Sequence, residues 1–164
     1  MKTTVAVAVL LGFIAFDVEA QGPYIVGTWK LNVAASRLPS PPQMEIRQYS
    51  LLADGTLVGL SVYIDPRGNP GFLQFAAKPD GKDYAEYDSK LLASFQAGGI
   101  TSKQTYSETP VDSHTVEWAD KFDGRVLASG RKWVSADGRT LSFTSRSKNA
   151  KGEESEFLNV YDRQ

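Results

Sequence analysis

Turn markers recur along this chain at intervals that suit β-strands: Asp54-Gly55, residues 66–71, Asp80-Gly81, Asp123-Gly124, Asp137-Gly138 and residues 149–152. An Asp-Gly pair between apolar runs is a strong local hairpin signal, because the favoured two-residue turn needs positive φ at both central positions. The runs between the markers are rich in Val, Thr, Tyr, Phe and Trp, residues that fit a pleated, half-buried surface. They cover 25–32, 43–52, 56–64, 72–77, 83–88, 101–108, 115–122, 125–134, 140–148 and 155–161. That makes about ten strands joined mostly by short loops. Two segments break the rhythm: 33–42, where Pro39, Pro41 and Pro42 stop any long helix, and 89–99, which reads as a short helix or as a bulged strand.

So many antiparallel strands in one short chain must manage their edges, and closing the sheet on itself removes them. The expected fold is all-β: an antiparallel up-and-down meander barrel of about 8–10 strands. A two-sheet sandwich is the alternative, although its crossovers call for longer connections.

The first residues set where such a domain works. Lys2 precedes an uncharged apolar run over 5–16, and Val18-Glu19-Ala20 follows, the pattern of a signal peptide cut after Ala20. Residues 1–20 are thus expected to be a leader, 21–164 a single barrel domain, and the destination secreted or periplasmic. The apolar run falls short of the roughly 20 residues that span a bilayer, so no membrane association is expected once the leader is removed. Removal takes Lys2, Asp17 and Glu19, leaving 17 basic against 17 acidic residues. That balance gives no electrostatic reason to expect nucleic acid as a partner. With no Cys and a single histidine, His114, thiolate or histidine-rich metal sites are ruled out, and no cofactor is expected.

The stretch Ile25-Val26-Gly27-Thr28-Trp29-Lys30-Leu31 resembles the opening strand of the calycins: the lipocalins with their Gly-x-Trp, and more closely the fatty-acid-binding proteins. It is also similar to small exported bacterial proteins opening GTWKLN. Lys121-Phe122-Asp123-Gly124 resembles the late Lys-Trp-Asp-Gly hairpin of the fatty-acid-binding proteins, and Asn159-Val160-Tyr161-Asp162 their final strand. The resemblance implies a lipocalin-like barrel holding a small apolar or amphipathic, fatty-acid-like ligand. In that family the ligand carboxylate meets an arginine seven residues past the hairpin glycine, and the Arg-x-Tyr of the last strand. Those positions fall on Arg131 and Tyr161, while Asn159 replaces the second arginine with a neutral amide. Gly27 and Trp29 are then the structural signature of the fold.

Strand alternation puts Leu127, Ser129, Arg131 and Trp133 on one face of their strand. This face carries the bulky residues and is the better candidate for the interior, which makes Trp133 a further candidate ligand contact. Arg131 either meets a ligand inside or faces water and pairs with Glu117 across the hairpin. Trp118 is cavity wall or core, and Trp29 closes the barrel base or touches ligand. Parity in the last strand is ambiguous, since Phe157, Asn159 and Tyr161 oppose Leu158 and Val160. His114 sits in a turn-like context beside Ser113 without an evident orienting partner, so no enzyme is expected. A protein-interaction or inhibitor module with a filled barrel core is the alternative function.

Overall fold

The structure is a computed structural model that describes residues 22–88, 103–148 and 153–164. The leader reading of 1–20 and the helix-or-bulge alternative at 89–99 lie outside the described residues. A four-residue helix α1 (Gly22–Ile25) leads into ten strands: β1 (Gly27–Leu31), β2 (Met44–Leu51), β3 (Leu57–Ile64), β4 (Pro70–Ala77), β5 (Tyr84–Asp88), β6 (Gln104–Pro110), β7 (Thr115–Phe122), β8 (Arg125–Val134), β9 (Thr140–Lys148) and β10 (Glu154–Arg163). Each pairs antiparallel with the next, and β1 closes on β10 with Trp29 opposite Arg163 and Leu31 opposite Tyr161. The fold is the expected closed meander barrel, and the sandwich is excluded.

The turns are built in two ways. At Asp123-Gly124 both residues take positive φ, 51° and 74°, and Phe122 faces Arg125 across a two-residue hairpin. At Asp54-Gly55, Asp80-Gly81 and Asp137-Gly138 only the glycine does so. There the aspartate accepts a hydrogen bond from the backbone N–H two residues on, at 3.0 Å from Thr56, 3.0 Å from Lys82 and 3.1 Å from Arg139. These are longer loops stabilised by an Asx bond rather than tight primed turns. After β1 the chain makes one turn, in which the Ser36 N–H meets the Val33 carbonyl, and then returns along β10 through Arg37 and Leu158.

Alternation along the strands sorts side chains into lumen and outer surface. The core comprises Ile25, Trp29, Leu31, Tyr49, Leu57, Phe75, Ala77, Tyr106, Val134, Leu141, Phe143 and Tyr161. Trp29 packs the closed end, where its indole N–H donates to the Ile25 carbonyl at 2.7 Å. The Arg163 guanidinium lies over the Trp29 ring at 4.2 Å and donates to the carbonyls of Val26 and Tyr24. Gly27, at φ 134°, leaves space for this arginine, since a Cβ there would stand 2.7 Å from its Nη1.

One expected parity is reversed. In β8 it is Lys132 and Val134 that are buried, while Arg131 and Leu127 face water and Trp133 is half-buried on the outer surface. The bulkier face of this strand therefore lies outside, because the interior at Lys132 is polar. Ser113 and His114 stand on a bend, in keeping with their turn-like context; Ser113 Oγ lies 2.9 Å from His114 Nδ1, and the imidazole lies against the Tyr24 ring with centroids 4.1 Å apart.

Candidate functional site

The lumen combines aromatic walls with ionic groups. On β2, Glu45, Arg47 and Tyr49 alternate inward; Arg47 Nε donates to Glu45 Oε1 at 2.7 Å and to the Tyr161 hydroxyl at 3.1 Å. Glu45 also accepts from Ser61 Oγ at 2.8 Å. The Arg47 guanidinium stacks 4.3 Å from the Phe143 ring centroid and 5.2 Å from that of Tyr161. From β8, the Lys132 ammonium donates to Glu108 and to the Tyr106 hydroxyl of β6, which itself donates to Glu108. Lys132 is 2 % exposed, and its ammonium lies 5.1 Å from the ring of Tyr49 and 5.7 Å from those of Phe75 and Tyr106. Burial of charge on this scale is tolerated only when each ion is paired and hydrogen-bonded. Both cations meet that condition.

Between these ion pairs lies a cavity of about 200 Å³. Tyr49, Phe75, Tyr106, Trp118 and Phe143 supply its aromatic wall, and Arg47, Glu86, Asp120, Lys132, Ser145 and Asn159 its polar groups. Glu86 is almost fully buried and accepts from Gln104 Nε2 at 2.6 Å. The indole N–H of Trp118 is shielded from solvent and finds no acceptor among the described residues. A second cavity of about 280 Å³ opens toward Ser40, Pro42, Tyr63 and Pro66 at the barrel mouth. Arg47 and Leu73 belong to the walls of both, so they separate the mouth from the inner space. A third concavity, of about 930 Å³, lies on the outer faces of β6 to β9 and includes Arg131, Glu117 and Trp133.

Burial pushes the Tyr106 phenol well above its ordinary 10.0, and the adjacent Glu108 carboxylate adds to the rise. Burial likewise raises Tyr161, with Arg47 working against the shift. For Arg47, burial works against the charge, yet Glu45, Tyr161 and Tyr49 hold the guanidinium above its ordinary value, so it stays a cation. Below pH 10 both phenols are neutral, folded or unfolded, and their contribution is fully present. Above it the unfolded chain releases protons that the folded barrel retains, so stability falls as pH rises. Urea midpoints are thus expected to drop above about pH 10, and less steeply in a Tyr106→Phe, Tyr161→Phe chain. An equally steep drop in both chains contradicts the assignment.

Neither a protein-family model nor a curated protein matches this sequence. Solved structures do match in shape. Wild-type fluorescent protein UnaG aligns with TM-score 0.53 at 13 % identity, covering 87 % of this chain and 98 % of UnaG. Two single-substitution variants of UnaG give TM-scores of 0.56 and 0.52 at 13 % and 14 % identity, over 87 % and 84 % of this chain and 97 % and 94 % of theirs. The likeness is one of fold. It is the fatty-acid-binding-protein-like barrel that the opening strand and the late hairpin implied.

Of the residues named from sequence, the structure gathers Trp118, Asn159 and Tyr161 at the lumen. Phe157, Asn159 and Tyr161 are therefore the inward set in β10. Arg131 is not among them: its guanidinium donates to Glu117 at 3.0 Å on the outer surface, with 60 % and 55 % of the two side chains exposed. Trp133 shares that outer surface. Trp29 lies in the closed base, away from the cavity wall. The lumen does hold a guanidinium, but it comes from Arg47 on β2, and an ammonium from Lys132 joins it. The signal for Arg47 was the alternation Glu45, Arg47, Tyr49 in a strand-like run, an acid and a base two residues apart on one face.

Proposed function

We propose that this protein is an exported binder of a small apolar or amphipathic molecule, acting as a carrier rather than a catalyst. The observation that carries the reading is the aromatic-walled inner cavity with a few convergent polar groups, set behind a mouth at Arg47 and Leu73. The inner space falls below the roughly 300 Å³ that drug-sized ligands occupy, so the occupant is small or extends its apolar end into the mouth. Asn159 and Trp118 are the proposed contacts with the occupant, and Tyr161, fully buried behind the wall, holds the Arg47 guanidinium that borders both cavities. Export to the periplasm or the medium is supported by the apolar run over 5–16 and the small-residue pattern ending at Ala20.

Native mass spectrometry on gently purified protein tests the binding claim: a co-purified or added apolar molecule should appear on the folded chain. An empty protein that also refuses every apolar probe overturns it. Amino-terminal sequencing of exported material should begin at Gln21. A second reading, a surface interaction module, is favoured by the larger concavity outside the barrel. Charge-reversal at Arg131 would weaken such a partner while leaving lumen binding intact.

A further inference from the structure

Given that reading of the lumen, we infer that the ligand is uncharged and presents a hydrogen-bond acceptor, a carbonyl oxygen such as that of a ketone, ester or amide, to the indole N–H of Trp118. Trp118 lines the inner cavity, and its N–H, shielded from solvent, finds no acceptor among the described residues. A buried donor without a partner is uncommon, because leaving one unsatisfied costs more than an ordinary hydrogen bond returns. The ring that carries it is otherwise well held: Trp118 stacks on Tyr106 with centroids 6.5 Å apart and packs against the core. The donor is therefore fixed in place beside a space that a small molecule can enter.

The charged groups of the same wall point to a neutral partner. Arg47 is paired with Glu45 and Lys132 with Glu108, so each cation already has its counter-ion. Glu86 and Asp120 interact within the protein and add no positive charge. A ligand carboxylate would enter the barrel with no free cation to meet it, and an ammonium with no free carboxylate, so either charge would lose its hydration uncompensated. An ammonium, moreover, has no lone pair to accept from Trp118, whereas a carbonyl oxygen has two. The neutral polar groups of the wall differ from the charged ones. The Asn159 carboxamide and the Ser145 hydroxyl line the cavity and make no hydrogen bond to another described residue. Each can donate to the second lone pair of the same oxygen. Tyr49, Phe75 and Phe143 supply apolar wall for the rest of the molecule.

Three eight-carbon probes separate the possibilities: methyl hexyl ketone, octanoate and octylamine, each titrated into the full chain by calorimetry at neutral pH. The ketone should bind at least about tenfold more tightly than either charged probe. The carbonyl stretch of the bound ketone should lie below its frequency in hexane, the mark of a hydrogen-bonded oxygen. In Trp118→Phe, which keeps an aromatic ring and removes the donor, ketone affinity should fall about fivefold and the stretch should move back toward its hexane value. The wild-type order and the wild-type frequency decide the matter even if that variant fails to fold. Octanoate or octylamine binding as tightly as the ketone, a bound carbonyl at its hexane frequency, or an unchanged frequency in the folded variant overturns the inference while leaving lumen binding in place. Binding of none of the three overturns the lumen reading and this inference together.

Discussion

Lys132→Met is expected to destabilise the barrel by about 3–5 kcal/mol, because it strands the buried Glu108 carboxylate beside Tyr106 in a low-dielectric interior. Both side chains of the Lys132–Glu108 pair are only 3 % exposed, so water cannot replace the lost partner without entering the core. The double change Lys132→Met, Glu108→Leu removes both charges and should recover most of the loss, since apolar side chains of similar volume pack as well as a buried pair. Urea unfolding of the two single variants and the double variant measures the coupling directly. Additive losses in the double variant would mean that the two groups do not act as a pair.

Trp29→Ala carries the other large effect, about 3–5 kcal/mol, the range for emptying a buried tryptophan site. Trp29 is fully buried, holds the Ile25 carbonyl through its indole N–H, and offers its face to Arg163. Losing the ring therefore opens a cavity and releases the guanidinium that ties Val26, Tyr24 and Gly138 to the end of β10. Trp29→Phe keeps an aromatic face and should cost about 1–2 kcal/mol, mainly the unsatisfied carbonyl and the lost volume. If the cation–π contact matters, Arg163→Met should destabilise the wild-type chain more than it destabilises Trp29→Ala. Equal costs in the two backgrounds would assign Arg163 to its carbonyl contacts alone.

The strands were legible because their ends are written in turn chemistry. Asp123-Gly124 fixes one hairpin outright, and Gly55, Gly81 and Gly138 mark three more through positive φ. Closure of the sheet followed from counting edges, and the Gly27-x-Trp29 opening placed the base. What alternation alone did not settle was which face of β8 turns inward. The rule that bulky residues point in gave the wrong face, because Lys132 is buried by a partner 24 residues away, and no local pattern announces Glu108 as that partner. Arg131 illustrates the converse. Its exposed pair with Glu117 is a cross-strand surface contact of the kind worth at most about 1 kcal/mol, yet the spacing from Gly124 made it the arginine to watch. Arg163 went unremarked because its role depends on the register of β10 against β1, which places it opposite Trp29.

The chain has no cysteine, so a single introduced thiol reports cleanly on its own surroundings. Ser145 lines the inner cavity, and Ser145→Cys is close to isosteric. In the native protein this thiol should react with a small methanethiosulfonate reagent far faster than the barrel unfolds, and a bound apolar molecule should slow the reaction. A thiol that reacts only at the rate of global unfolding would show a solid interior and contradict the lumen as a binding site.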